Sequence, residues 1–421
     1  MKQQQSVSVN YQITIIGILF FIFGFITWAN SSLIPYFKIA CELGEGAQSF
    51  YVASAFFAAY FFMAIPSSYI LKFTGFKRGM SLGLFVMGIG CLLFIPAAHA
   101  RSYNLFLIGL FIIGSGLALL QTASNPYVTV LGPLERAAQR ISIMGICNKI
   151  AGIIAVYVLG SITLKNADVI KEKLLTLSEA EKNIELNALI SRVIQPYTLL
   201  AAILFFLAII IFFINMPEIR EDETATESTE NKQTSIFNFP YLFLGALAIF
   251  FYVGVEVISY DSFTNFGEFL GYKLEVARNF PTYTGYALLA GYIFNIVTIP
   301  RYISQQKALL VLTLLSIILV FLTILTKGQT AVVCFLLLGF SNAVMWPAIW
   351  PLAIEGLGKY TKLGSALLIM GIVGGAILPP LYGKFSEFLN NKQTAYIIMI
   401  PAYLYILFYA LTGHKLGKQK R

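Results

Sequence analysis

The chain has 421 residues, of which 58% are apolar and only 12% charged, where soluble domains run at about 45–50% and about 25%, so a water-soluble globule is a poor first reading. Its net charge of +9 does not point to nucleic acid, because a membrane protein that obeys the positive-inside bias carries the same excess of Lys and Arg. Four scattered cysteines (Cys41, Cys91, Cys147, Cys334) and two histidines (His99, His414) leave no disulfide framework, no zinc spacing and almost no room for histidine chemistry.

Twelve apolar runs follow in chain order, near residues 13 to 37, 50 to 71, 79 to 97, 104 to 131, 141 to 163, 196 to 216, 240 to 263, 281 to 300, 308 to 326, 331 to 354, 364 to 383 and 394 to 412. Each is long enough to cross a bilayer as a helix. The first exceeds the apolar core of a signal peptide and no small-residue cleavage site follows it, so it is expected to stay as a span. Between the fifth and sixth runs, residues 164 to 195 mix Lys and Glu with Leu and Ile at helical spacing. Leu174 to Ile190 there predicts one external amphipathic helix, a lid or spacer rather than a site. Pro217 to Ser235 is polar and of low complexity, and reads as a solvated linker between six spans and six. The expected domains are therefore 1–216, the linker 217–235, and 236–421.

Twelve crossings put both termini on one side of the membrane. That side holds sixteen of the twenty-nine Lys and Arg, against seven in the short loops opposite and five in the 164 to 195 segment, with Lys149 inside a span. The excess places both termini in the cytoplasm.

Internal repetition carries more weight than composition. Gln121 precedes Pro126 by five residues in the fourth span, and Asn342 precedes Pro347 by five in the tenth. IMGI occurs at Ile143 to Ile146 in the fifth span and again at Ile369 to Ile372 in the eleventh. Both offsets are six spans, which implies two six-helix halves related by a repeat, an arrangement of secondary transporters.

Polar residues deep in a span are costly and are candidates for function. Lys149 lies nine residues after Arg140, about 13.5 Å into the membrane at 1.5 Å per residue. It either pairs with a carboxylate to hold helices together or handles substrate or ion directly. The seventh span contains Glu256 and Asp261, whose five-residue spacing leaves them about 140° apart on a helix, so they cannot form one paired site. Glu256 is the deeper and reads as functional; Asp261 is either functional or a solvated helix-end residue. Gln121 and Asn125 share a face of the fourth helix, and Asn148 on the fifth is their expected neighbour. Amides offer donor and acceptor together, which suits the vicinal hydroxyls of a sugar, although Asn and Gln also join helices. A cluster reinforced by Asn30, Asn295 and Asn342 favours a lined cavity. Trp346 and Trp28 lie mid-span and offer a face for stacking on a pyranose or packing in the core, while Trp350 reads as core. Prolines 126, 347, 351, 379 and 380 interrupt backbone hydrogen bonding where freed carbonyls must meet protein, water or ligand.

Five segments together resemble a known family: ANSSLIPYFK from Ala29, GLFIIGSGLALLQTASNPYVTVLGP from Gly109, RISIMGICNKIAGIIA from Arg140, FYVGVEV from Phe251, and WPAIWPLAIEGLGKYTKLGSALLIMGIVGGAILPPLYG from Trp346. They are similar to the fucose–proton symporter and glucose/galactose transporter family of the major facilitator superfamily. The resemblance implies an all-α membrane protein of twelve transmembrane helices in the major facilitator fold. In the proton-coupled fucose members an aspartate on the first span and a glutamate on the fourth titrate; here those positions hold Ser31 and Gln121. The asparagine of the fifth span is present as Asn148, but the glutamine one turn earlier is Gly145, which implies a reshaped pocket. FYVGVEV, with Glu256, looks more like the glucose/galactose branch, where sodium-dependent members occur.

The sequence is thus expected to encode a monomeric, multi-pass carrier of the bacterial inner membrane. It would transport a glucose- or galactose-like monosaccharide by alternating access, need no cofactor and bind no nucleic acid. Substrate would meet Trp28, Asn30, Gln121, Asn125, Asn148, Asn342 and Trp346. Coupling or gating would fall to Ser31, Lys149, Glu256 and Asp261, with sodium near Glu256 favoured over a proton. A uniporter, a proton-coupled symporter, an efflux carrier of apolar compounds and a membrane-embedded enzyme are the alternatives.

Overall fold

The computed structural model describes residues 9–43, 47–130, 137–214, 235–299, 301–357 and 360–417. Among the described residues, ten helical stretches are long and apolar enough to cross a membrane. The described residues of all twelve expected runs lie on helical backbone apart from short breaks, and two differences explain the lower number. The second and third runs form one stretch, Phe50–His99, divided where Gly75 takes a left-handed φ of 72°, a conformation open to glycine without a steric penalty. The eighth run is the 19-residue helix Phe280–Thr298, whose Thr282, Thr284 and Asn295 make it less apolar than the other spans.

The first half begins with α1 (Val9–Ala40), α2 (Ala47–Leu92), α3 (Phe94–His99), α4 (Tyr103–Val130) and α5 (Ala137–Thr163). It ends with the short α6 (Ala167–Leu174) and α7 (Glu179–Ile190), then α8 (Ile194–Phe213). The second half starts with α9 (Pro240–Asp261), α10 (Phe263–Phe269), α11 (Leu274–Ala277), α12 (Phe280–Thr298) and α13 (Gln305–Leu325). α14 (Gly328–Asn342), α15 (Met345–Ile354), α16 (Thr361–Met370), α17 (Gly374–Leu389) and α18 (Met399–Leu411) complete it. The tenth span breaks at 343–344, between α14 and α15. Pro347 causes this, since it has no N–H for the Ala343 carbonyl and its ring crowds that oxygen.

The expected single helix from Leu174 to Ile190 is instead two helices, because Ser178 stops the register. Its backbone N–H donates to the Glu181 carboxylate at 3.1 Å, and the pair forms a capping box that starts α7 at Glu179. The polar stretch read as a linker, 217–235, lies outside the described residues except for Ser235.

Packing repeats between the halves. α1 lies on α5 as α9 lies on α17, α2 on α4 as α12 on α14, and α2 on α8 as α13 on α18. The closest crossings are instructive. A methyl on Gly24 of α1 would lie 1.8 Å from the Asn148 carbonyl of α5, and one on Gly374 of α17 would lie 1.8 Å from the Phe250 carbonyl of α9. Positions 24 and 250, and 148 and 374, are both 226 apart, the same offset as the two IMGI segments. The halves meet where α2 packs on α17 and α5 on α12, and Ser54 Oγ donates to the Ala376 carbonyl at 2.6 Å across the first of these seams.

Large apolar side chains such as Phe62, Phe85, Phe206, Phe213 and Leu325 are exposed around the bundle. In water they would form aggregation-prone patches, whereas in a bilayer they are the lipid-facing surface.

Candidate functional site

α1, α5 and α9 meet at the centre of the molecule around one ion pair. Lys149 Nζ lies 2.9 Å from Glu256 Oε1, and the two residues are 4% and 6% exposed. Lys149 comes from the first half and Glu256 from the second, so the pair ties the halves together. The ammonium also sits 4.0 Å from the centroid of the Trp28 ring, a cation–π contact that gains strength when desolvated. Trp28 reaches this position because residue 152 is glycine: a methyl there would lie 2.5 Å from the indole Cδ1. The indole N–H donates to Asn148 Oδ1 at 3.3 Å, and Asn148 Nδ2 donates to the Phe20 carbonyl at 3.4 Å.

Tyr260 packs against the indole with ring centroids 4.1 Å apart. With Val156, Leu288, Tyr292 and Ala343 it forms a small apolar cluster separate from the main core, made of residues from both halves. Tyr292 occupies the space implied by Gly145, since a methyl on that glycine would lie 3.0 Å from the Tyr292 ring. Sequence reasoning noticed the missing side chain at 145 but not the ring that replaces it. Tyr260 and Tyr292 gave no signal of their own, because an aromatic residue in an apolar run is ordinary.

Other expected site residues fall around this centre unevenly. Gln121 is half-buried and donates from Nε2 to the Tyr60 hydroxyl at 3.0 Å, so Gln121 is held by α2 while Asn148 is held by α1. Asn125 is half-buried on the same helix as Gln121. Asn342 is fully buried, and its Oδ1 accepts a hydrogen bond from the Tyr403 hydroxyl of α18 at 3.0 Å, which joins helices in the second half. Trp346 is half-buried, stacked on the buried Trp350 at 5.3 Å, with Tyr252 6.4 Å away. Asp261 is not a solvated helix-end residue: it is 2% exposed because α10 continues almost directly from α9. The side chains of Asn30 and Ser31 lie outside the described residues.

The geometry alters the expectation for sodium. The negative charge that a sodium ion near Glu256 would neutralise is already neutralised by the Lys149 ammonium, and a second cation beside that ammonium would be repelled.

A helical bundle with an apolar outer surface, a repeated half and a buried ion pair between the halves has the architecture of a multi-pass membrane protein, and its family and relatives are transporters, not enzymes. The chain belongs to the Major Facilitator Superfamily, whose pattern it matches over residues 16–379. A glucose/galactose transporter of Brucella abortus is 37% identical over 409 residues, covering 96% of this chain and 94% of the relative. An L-fucose-proton symporter of Escherichia coli is 30% identical over 398 residues, covering 93% and 90%. The crystal structure of the transporter FucP in the outward conformation superposes with a TM-score of 0.76 at 28% identity, covering 98% of this chain and 100% of that one. The D-xylose-proton symporter shares the fold alone, with a TM-score of 0.67 at 16% identity over 98% and 99% of the two chains.

Proposed function

We propose that the protein is a monomeric, cation-coupled monosaccharide symporter of the bacterial inner membrane. In this reading residues 1–216 and 236–421 are the two halves, joined by a cytoplasmic linker at 217–235, and both termini face the cytoplasm. The observation that carries the reading is the central cluster of Trp28, Asn148, Lys149 and Glu256. It brings an aromatic ring, an amide and a charge pair together between the two halves, and carriers built from repeats bind substrate at the interface of those repeats. A hexose would lie against the half-buried Trp346 ring, since the Trp28 ring expected to share that task is covered by the Lys149 ammonium and by Tyr260, and would exchange hydroxyl hydrogen bonds with Asn148, Gln121 and Asn125. The two sugar transporters at 37% and 30% identity support a monosaccharide over an apolar drug.

The coupling ion follows from the ion pair. Protonating Glu256 would turn its side of the bridge neutral, release Lys149 and weaken the tie between α5 and α9, so proton binding changes the balance between inward- and outward-facing states. Sodium would have to displace the ammonium first. We therefore favour a proton, with Glu256 as its carrier and Lys149 as the group that senses its charge. Labelled glucose, galactose and L-fucose counterflow in proteoliposomes tests the sugar class. Uptake under an imposed pH gradient, and separately under a sodium gradient, tests the coupling. Accumulation driven by sodium alone would overturn the proton assignment, and absence of counterflow with all three sugars would overturn the sugar class.

A further inference from the structure

The segment between α5 and α8 is fixed at two places that belong to different halves. On its own half, the Tyr36 hydroxyl of α1 donates to the Leu189 carbonyl at 2.9 Å. Glu42, just past α1, takes Lys182 of α7 at 2.5 Å and Arg101 at 2.7 Å. From this anchored base the segment reaches over the seam to the outer hairpin of the second half. Asp168 of α6 accepts two backbone hydrogen bonds at the start of α11, from Leu274 N at 3.1 Å and Glu275 N at 3.0 Å. The Lys171 ammonium pairs with the Glu268 carboxylate of α10, and Arg278 Nη1 donates to the Leu164 carbonyl at 3.0 Å. Three ties therefore fall within residues 268–278, the stretch that leads into α12.

These ties suit a fastening that opens. The first N–H groups of a helix have no intrahelical partner, and a carboxylate that takes two of them makes charge-assisted bonds. When the halves part, water can replace every one of these partners, so release costs little compared with uncovering an apolar seam. The contacts also bear on the transport path: α11 passes straight into α12, whose Thr282 is buried one turn above Gly285. At Gly285 a methyl would lie 2.5 Å from the Tyr260 hydroxyl.

We propose that Asp168, Lys171, Glu268 and Arg278 form an outer latch: they hold the outer ends of the two halves together, and their release is part of the step in which the carrier turns outward. The proposal rests on the orientation given above, with the 164–195 segment outside, and on alternating access, but not on which sugar is carried.

The test reads exposure of the outer cavity in intact cells with an impermeant maleimide. Thr282→Cys reports the cavity, in a chain where Cys41→Ser removes the external thiol, although burial already pushes Cys41 up to about 12 and makes it a poor nucleophile. Leu175→Cys, 87% exposed between α6 and α7, reports the side of the membrane. The expected result is that Asp168→Ala, which removes two charge-assisted bonds, and Lys171→Glu, which turns an attraction into a repulsion, each speed labelling of Thr282→Cys by about three- to tenfold. Adding Glu268→Lys to Lys171→Glu should bring the rate back toward that of the parent. Unchanged labelling in both single variants, or no recovery in the charge swap, would overturn the latch. Equal acceleration at the deeply buried Cys91 would also overturn it, since that indicates general loosening. A Leu175→Cys chain that labels only in inside-out vesicles would instead overturn the orientation, and the outer latch with it.

Discussion

Replacing one member of the central ion pair should cost far more than replacing both. Lys149 and Glu256 are 2.9 Å apart and 4% and 6% exposed, so Lys149→Met leaves a carboxylate, and Glu256→Gln an ammonium, without its counter-charge in a dry seam. Breaking a buried pair in this way costs about 3–5 kcal/mol. The double variant Lys149→Met/Glu256→Gln buries no charge and should lie within about 1–2 kcal/mol of the parent, since apolar replacement of buried ion pairs is often near neutral. The cycle therefore predicts a coupling energy of at least about 4 kcal/mol, read from thermal unfolding of the purified carrier with parallel counterflow assays. Glu256→Gln should still exchange sugar but fail to accumulate it under a pH gradient. Single effects that add to within about 0.5 kcal/mol would refute the pairing, and full pH-driven accumulation by Glu256→Gln would remove that residue from coupling.

Three further outcomes follow from the same geometry. Gln121→Ala and Asn148→Ala should each weaken sugar binding by about ten- to a hundredfold, the effect of leaving one hydroxyl or amide unpaired at about 1–3 kcal/mol; near-parental affinity in both would mean that the amides only join helices. Gly24→Ala should abolish folded yield, since its methyl would meet the Asn148 carbonyl at 1.8 Å, whereas Gly17→Ala, with its nearest neighbour at 3.7 Å, should be tolerated in the same size-exclusion assay. The hydrogen bond from Lys182, followed by the nearby positive charges of Lys182 and Arg101, holds the Glu42 carboxyl below the usual carboxylate range. A lowered pKa stabilises above the ordinary carboxylate pKa and is lost as pH falls through the lowered value. Protection of the α7 amides, taken relative to their intrinsic exchange rate at each pH, should therefore hold from neutrality through mild acid and fall only below that range, with Glu42→Gln removing the dependence.

The apolar runs were readable because a bilayer demands them, and the break in the tenth span was marked by Pro347. The two helices of the outer segment were instead read as one: Ser178 and Glu181 have the spacing of a capping box, but the amphipathic pattern running through them suggested continuity. Lys149 and Glu256 were each legible as costly charges at depth. Their pairing was not, because it joins residues 107 apart on different halves, and helix periodicity carries no information about which faces meet. Asn148 could be placed on the central side of α5, yet its hold on the Trp28 indole depends on the space left by Gly152. Asn342 shows the opposite outcome: its amide looked like its counterpart Gln121, but Tyr403 turns it to a task within its own half.

The two close crossings, Gly24 against Asn148 and Phe250 against Gly374, put the glycine on the earlier helix in one half and on the later helix in the other. What is common is the absence of a side chain between two backbones, whichever strand of the crossing provides the gap. Backbone against backbone leaves almost no free volume, and such a joint neither compresses nor slides. Each half should therefore behave as a stiff lever around its own crossing. Deformation during transport would then concentrate in the seam between the levers, where the fastenings are side chains that water or a proton can replace.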